Sequence, residues 1–159
     1  MPELKTDPQK VHGWLTEPEG LKLAELAKNA VVLEIGTFAG RSTIYMAKTA
    51  RMVHTVDVRV GYEGQFSSPT LLEFIKNIVD HGVGDKVFMH VGKSCDLLFP
   101  PKCFDMVFID GDHTLEGVVI DCNIAVKVTK LGGVVALHDW DYDTVKEAAD
   151  KVLVGAGAG

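Results

Sequence analysis

Two hydrophobic patterns alternate along this chain. Short apolar runs of the kind that form strands buried on both faces of a parallel sheet lie at 31–35, 52–57, 86–91, 104–109 and 134–137. Segments whose apolar residues recur at helical spacing lie at 40–49, 69–81, 114–130 and 143–153. The alternation predicts an α/β fold with a doubly wound, mostly parallel sheet in the strand order 3-2-1-4-5.

Turn and cap residues predict where individual elements begin and end. Thr16 precedes the sequence Glu-Pro-Glu, which is the order of an N-cap followed by a first helical turn. Gly132 and Gly133 predict a turn before the last strand. The helix over 69–81 is amphipathic, and the side chains that we expect to face the core are Leu71, Leu72, Ile75, Ile78 and Val79.

These elements predict a single domain over residues 1–159. We expect an N-terminal helical segment at 1–29, an α/β core at 30–153 and a flexible tail at 154–159. The sequence shows no internal repeat and no linker composition that would divide the core.

The composition argues against nucleic-acid and membrane functions. The formal net charge is −6, and no cluster of lysine and arginine could neutralise several phosphates. No apolar run reaches the roughly 18 residues of a membrane span, and the N-terminus lacks a basic-then-apolar signal pattern. The three cysteines have no metal-type spacing and are expected as reduced thiols. We therefore expect a cytoplasmic protein with neither a nucleic-acid nor a membrane partner.

The loop after the first strand has the features of a nucleotide-type cofactor site. Gly36 allows a sharp turn, Gly40 allows close approach to a ligand, and the next helix points free N–H groups back at the loop. Asp57 ends the second strand, where a carboxylate can bind both ribose hydroxyls. Two cofactors, a dinucleotide and S-adenosylmethionine, are both compatible with these features. The spacing lacks the middle glycine of the dinucleotide fingerprint, and the acids Glu34, Asp57 and Asp110 favour a cationic cofactor.

Acidic and imidazole side chains end two further strands. Asp110 and His113 follow the fourth strand, and His138 and Asp139 end the fifth. Because the carboxyl ends of neighbouring parallel strands meet at one edge, we expect these groups beside the glycine loop. A divalent cation held there would bind an acceptor hydroxyl and lower its pKa. Oxygen-rich ligands with one imidazole suit Mg²⁺ or Mn²⁺ better than zinc.

With these motifs in this order, the chain resembles class I S-adenosylmethionine-dependent methyltransferases, with a Rossmann-like fold. Within that class it is similar to small-molecule O-methyltransferases of the catechol and macrolide-sugar types, from about Gly13 to Trp140. The resemblance implies S-adenosylmethionine as the cofactor. It implies that residues 35–42 wrap the methionine part. The predicted cofactor-binding residues are Glu34, Gly36, Thr37, Phe38, Gly40, Ser42, Asp57, Ser94, Cys95 and Asp110.

The resemblance also implies the role of several of these residues. Gly36 and Phe38 would line the methionine pocket, and Ser42 would hold the carboxylate of the cofactor at the helix start. Asp57 would bind the ribose. The Gly-Lys-Ser-Cys sequence that contains Ser94 and Cys95 matches a loop at the edge of the adenine.

Catalytic roles follow from the same resemblance. In catechol-type enzymes the acids matching Asp110 and Asp139 bind Mg²⁺, and in the sugar enzymes the position of His138 supplies a further ligand. The predicted metal ligands are therefore Asp110, His138 and Asp139. The third ligand of the catechol enzymes is an asparagine, whereas this chain has Trp140. His113 is the candidate general base, since an imidazole with an ordinary pKa of about 6.5 can take a hydroxyl proton.

The resemblance raises a question about the edge of the sheet. Full members carry two more strands after the fifth, forming an antiparallel hairpin, and only about twenty residues follow Asp139 here. An open edge strand is usually covered or paired. We expect a homo-oligomer that seals the edge, a covering by the last helix or the N-terminal segment, or a truncated chain.

The predicted function is transfer of a methyl group from S-adenosylmethionine to a hydroxyl of a small molecule, assisted by Mg²⁺ or another divalent cation. One alternative is a module that binds S-adenosylmethionine with weak or no catalysis. A less supported alternative is an NAD-dependent oxidoreductase.

Overall fold

Five short strands rich in apolar residues form one parallel sheet in the computed structural model, which describes residues 7–59 and 70–155. The strands are β1 (Val31–Ile35), β2 (Met52–Asp57), β3 (Val87–Val91), β4 (Phe104–Ile109) and β5 (Thr129–Leu137). Their order is β3-β2-β1-β4-β5, and every neighbouring pair is parallel. The predicted fold class and strand order are confirmed.

Helices connect and flank these strands. The α-helices are α1 (Glu17–Leu26), α2 (Arg41–Ala47), α3 (Leu71–Asp80), α4 (Leu115–Val128) and α5 (Asp143–Ala149). Helix α1 begins where the cap sequence predicts, because the backbone N–H of Thr16 donates to Glu19 at 2.8 Å. Helix α5 continues as a π-helical turn through Val154, so the predicted helix over 143–153 is divided in two. The described residues contain no helix that is long and apolar enough to cross a membrane.

Two layers of buried side chains cover the two faces of the sheet. Helices α1, α2 and α3 pack on one face around Val32, Ile44 and Phe74. Helices α4 and α5 pack on the other face, where the buried residues include Val107 and Cys122. The β1 side chains alternate between these layers, which is why this strand is apolar at almost every position.

Helix α3 turns a different face to the core from the one that its sequence predicts. Phe74 and Ile78 are buried, whereas Leu72, Ile75 and Val79 are 79%, 41% and 62% exposed. The inward prediction is therefore wrong for these three residues. Six of the ten residues of α3 are apolar, so they cannot all lie on its buried side. The buried side is the one on which Phe74 approaches the backbone of Gly40.

Strand β5 also differs from its prediction, because it begins at Thr129 and includes the glycine pair that predicted a turn. The pairing with β4 shifts between Phe104 and Met106, so residues 130–133 bulge opposite Asp105. Gly132 has a φ of 74° in this bulge. Helix α4 accordingly ends at Val128, before the predicted end at Lys130.

Strand β5 is the last strand of the sheet, and among the described residues a strand pairs with it only on its β4 side. Helix α5 packs against α4. Of the predicted tail over 154–159, residues 156–159 lie outside the described residues, as do residues 1–6 of the N-terminal segment.

Candidate functional site

The carboxyl ends of β1 and β4 meet at Gly36. Its backbone has a φ of 82°, and its N–H donates to the carbonyl of Val56 at 2.8 Å. A Cβ at this position would lie 2.2 Å from the backbone oxygen of Asp110. Gly36 is therefore needed for the approach of two protein loops, in addition to its predicted place in the cofactor pocket.

The carboxylate of Asp57 holds the glycine loop in place from the end of β2. One oxygen accepts the backbone N–H groups of Thr37 and Phe38 at 2.8 and 3.0 Å, and the other accepts the N–H of Arg59 at 2.7 Å. Since each carboxylate oxygen can accept more than one hydrogen bond, Asp57 keeps acceptor capacity for a ribose. The hydroxyl of Thr37 is buried and has no hydrogen-bond partner within residues 7–59 and 70–155.

Glu34 is fully buried beneath this loop and joins β1 to the start of α2. It accepts a hydrogen bond from the hydroxyl of Ser42 and another from Thr43, the latter at 2.5 Å. Burial raises the pKa of Glu34 to about 8, against the hydrogen bonds, which lower it. With its hydroxyl engaged by Glu34, Ser42 offers a ligand its backbone N–H at the helix start.

The raised pKa of Glu34 predicts a pH-dependent stability. The folded state keeps a proton that the unfolded chain releases above its ordinary pKa of 4.5, so this stabilising contribution is complete below 4.5 and is lost as the pH rises through about 8. In urea titrations, wild type should lose about 2–3 kcal/mol relative to Glu34→Gln between about pH 5 and about pH 7. A difference that does not change with pH would contradict the prediction.

Two aromatic side chains that were not predicted, His12 and Trp14, lie against the predicted residue Phe38 of the glycine loop. Phe38 has a φ of 45°, and its ring lies 5.2 Å from that of Trp14 and 5.1 Å from that of His12. Trp14 is largely exposed, in a sequence that gives no periodic signal. Gly40 also has a positive φ, of 95°, but a Cβ there would meet Phe74 of α3 at 3.0 Å. The missing side chain of Gly40 thus leaves room for Phe74 of α3 to pack against the loop.

Arg59 is a second residue that the sequence did not indicate. Its side chain is 3% exposed, donates to the carbonyl of Phe38 at 3.1 Å and lies 3.8 Å over the ring of Phe74. Burial lowers its pKa, although Asp57 and Glu34 act in the opposite direction. A buried cation thus links the loop after β2 to the glycine loop.

Ser94 and Cys95, the predicted adenine contacts, lie in a 3₁₀ turn after β3. Ser94 donates its hydroxyl hydrogen to Asp121 of α4, with the oxygens 2.5 Å apart. Asp121 is 4% exposed, and burial raises its pKa to about 6. Cys95 is exposed. The predicted contact Ser94 is therefore fixed by a residue that the sequence analysis did not include.

The acidic and imidazole groups converge as predicted at the ends of β4 and β5. Asp110, His113 and Asp139 each place one ligand atom within 4.8 Å of the others. His113 Nε2 lies 2.5 Å from an Asp139 oxygen, and its ring stacks on Tyr142 at 4.9 Å. Asp139 has a φ of 57°, which turns the chain sharply after β5.

His138 lies behind this group. Its Nδ1 is 3.1 Å from Asp139 and 3.5 Å from Asp110, and its Nε2 is 3.5 Å from Glu19 of α1. These are ion-pair contacts, because neither nitrogen makes a hydrogen bond to a described residue. Asp110, with Asp139, raises the pKa of His138 to about 10, so the imidazole is a cation in this arrangement.

The two carboxylates differ in their electrostatic surroundings. Burial raises the pKa of Asp110, although His138 acts to lower it. Burial would also raise the pKa of Asp139, but the hydrogen bond from His113 and the nearby His138 outweigh it and lower that pKa. Asp139 is thus the more strongly stabilised anion of the pair.

The donor set fits a divalent cation that prefers oxygen ligands. Two carboxylates and the imidazole of His113 lie close enough to share one ion, and His138 remains a predicted ligand beside them. The three residues within mutual reach of one ion include His113, the predicted base, in place of His138, the predicted ligand.

Comparison with known sequences gives two relatives of note. The catechol O-methyltransferase of Mycobacterium tuberculosis is 33% identical over 68% of this chain and 47% of that protein. The uncharacterized protein R132 of Acanthamoeba polyphaga mimivirus is 27% identical over 80% of this chain and 61% of that protein. The chain therefore spans about half of the length of the curated relatives it matches.

Solved structures and a family model agree with the fold. Cofactor-bound Rv0187 from MTB is 28% identical, with a TM-score of 0.70 over 94% of this chain and 72% of that chain. The O-methyltransferase TomG from Streptomyces achromogenes, in complex with SAM, is 25% identical, with a TM-score of 0.68 over 92% of this chain and 70% of that chain. A family model described as a methyltransferase domain matches residues 33–140. The resemblance predicted from the motifs is confirmed, and the chain belongs to the methyltransferase-domain family.

Proposed function

We propose that this protein transfers a methyl group from S-adenosylmethionine to a hydroxyl of a small molecule. The observation that carries the proposal is the convergence of two sets of side chains at one edge of the sheet. The glycine loop and Asp57 lie at the ends of β1 and β2, and Asp110, His113 and Asp139 lie at the ends of β4 and β5. A catechol O-methyltransferase among its relatives supports a hydroxyl acceptor.

The glycine loop would position the cofactor. S-adenosylmethionine, when bound, supplies an electrophilic methyl group on a sulfonium centre. Asp57 would accept a hydrogen bond from the ribose at the acceptor site that the loop amides leave free. The N–H groups at the start of α2, around Ser42, would hold the carboxylate of the cofactor, and Phe38 would border the methionine part. Arg59 and Glu34 keep the loop in the required shape.

His113 would take the proton of the acceptor hydroxyl. Its Nε2 donates to Asp139, so Nδ1 is the nitrogen that can accept a proton. Asp139 fixes the orientation of the ring and stabilises the imidazolium that proton transfer creates. Asp110, at the end of β4, adds negative charge beside the same hydroxyl site and so favours a cationic partner.

Asp110 and Asp139 would hold Mg²⁺ or another divalent cation. His138 would join them as a ligand once it has released the proton that makes it a cation, and His113 would stay free to act as the base. Such a cation, when bound, lowers the pKa of a hydroxyl that it contacts. These four residues would then orient the acceptor so that its oxygen faces the glycine loop.

Titration calorimetry with S-adenosylhomocysteine tests the proposal without knowledge of the acceptor. Wild type should bind this ligand and should not bind NAD. Asp57→Asn should weaken binding at least about tenfold, because it removes the charge that both the loop amides and the ribose use. The matched control Asp85→Asn, at an exposed site after α3, should leave affinity unchanged. Tight NAD binding would support the oxidoreductase alternative instead.

Three finer expectations remain part of the proposal. The acceptor would be a small molecule, the location cytoplasmic, and the assembly a homo-oligomer that covers the free edge of β5. Trp140, at the position where catechol-type enzymes carry a ligand asparagine, is the observation that favours the alternative of a binding module with weak catalysis. Methyl transfer by wild type separates the two functions.

A further inference from the structure

A buried carboxyl group links two loops that border the cofactor side of the cleft. Asp121 lies on α4 and accepts the hydroxyl of Ser94, which follows β3. A Cβ on Gly111 would lie 3.4 Å from the other oxygen of Asp121. The carboxyl group therefore holds the loop after β3 with one oxygen, and its other oxygen lies beside Gly111 in the loop after β4.

This hydrogen bond leaves Ser94 with no hydroxyl hydrogen to offer a ligand. An ionised carboxylate only accepts hydrogen bonds, so the single hydroxyl hydrogen of Ser94 is directed at Asp121. The Ser94 oxygen then presents lone pairs alone. The pKa of Asp121 is raised to about 6 by burial, and the group is still ionised at about pH 8.

We propose that Asp121 is a positioning residue that makes Ser94 an obligate hydrogen-bond acceptor, and that the pair thereby selects a nucleobase with an amino group, as in adenine. This rests on the proposed function and on the resemblance, which implies that the base of the cofactor lies against the Gly-Lys-Ser-Cys loop that contains Ser94. A base with a carbonyl oxygen in place of the amino group would set lone pairs against lone pairs. Such a mismatch leaves both polar groups unpaired and is discriminated more strongly than a change of shape.

The experiment compares two ligands that differ at this group alone. Affinities for S-adenosylhomocysteine and S-inosylhomocysteine are measured by calorimetry at about pH 8. Wild type should favour the adenosyl ligand at least about tenfold. In Asp121→Asn the amide can donate to Ser94 and free its hydroxyl hydrogen, so the preference should fall to within about threefold. Ser94→Ala removes the acceptor and should reduce the preference in the same way.

The control is Asp112→Asn, which removes a neighbouring carboxylate without a contact to Ser94 and should keep the wild-type preference. A structural role alone would weaken both ligands equally, so an unchanged ratio in Asp121→Asn overturns the proposal. If that variant does not fold, an unchanged ratio in Ser94→Ala overturns it. Wild type that binds the adenosyl ligand without preference refutes this inference alone, whereas wild type that binds neither ligand refutes the proposed function as well.

Discussion

Asp110→Asn is expected to lower the rate of methyl transfer at least about a thousandfold. Asparagine keeps the shape of the side chain but removes the negative charge that faces His113 and Asp139 at the end of β4. The site would then bind a divalent cation weakly. It would also stabilise less well the positive charge that forms on His113 when this residue takes the acceptor proton. The rate is measured as release of S-adenosylhomocysteine with a panel of catechols and sugars as acceptors.

Mn²⁺ binding, followed by electron paramagnetic resonance, gives a second measurement that does not require the acceptor. The matched control is Asp112→Asn in the same loop. The Asp112 carboxylate accepts the N–H of Thr114 at 2.8 Å, a bond that an amide oxygen can also accept. This variant should keep the rate within about threefold. Turnover by Asp110→Asn at the rate of the control would show that Asp110 is not catalytic.

The strands were predictable because their sequences carry a local signal. Strands β1, β2 and β4 begin and end at the predicted residues, since each is an apolar run followed by Gly36, by a polar loop or by Asp110. Strand β5 was predictable only in its second half. Its first half depends on pairing with Phe104 across a bulge, and that tertiary contact overrides the turn preference of two glycines.

The location of the site was predictable for a topological reason. In a parallel sheet the order of strands decides which carboxyl ends are neighbours, so Asp57, Asp110 and Asp139 had to lie along one edge. The hydrogen bonds between these groups could not be predicted from the sequence. His113 pairs with Asp139 across 26 positions in the chain, and no local pattern reports that distance.

One missed residue did leave a signal in the sequence. Asp121 occurs among the apolar positions Val118, Cys122 and Ala125, all on the buried side of α4. An acid in such a position is seldom buried without a partner, so its presence predicts a polar neighbour. The identity of that neighbour, Ser94, required the structure. Arg59 left no comparable signal, because it lies outside any apolar run and its partners Phe38 and Phe74 are distant in the chain.

Gly36→Ala should destabilise the protein by at least about 4 kcal/mol, or prevent folding. A Cβ at this position would lie 2.2 Å from the backbone oxygen of Asp110, 2.5 Å from its carbonyl carbon and 2.5 Å from the Cα of Gly111. These are backbone atoms at the ends of two neighbouring strands, so no side-chain rotation can relieve the overlap. The free energy of unfolding from urea titration measures the effect.

Gly132→Ala separates the clash from the backbone conformation. Gly132 has a φ of 74°, close to the 82° of Gly36, but an added Cβ would have no atom within 4 Å. Its cost should therefore be about 1 kcal/mol, which is the usual penalty for alanine in the left-handed region. Equal costs at the two positions would mean that the ends of β1 and β4 can separate. The contact that joins the glycine loop to Asp110 would then not be fixed by the fold, and the cofactor and acceptor sides of the cleft would be able to move independently.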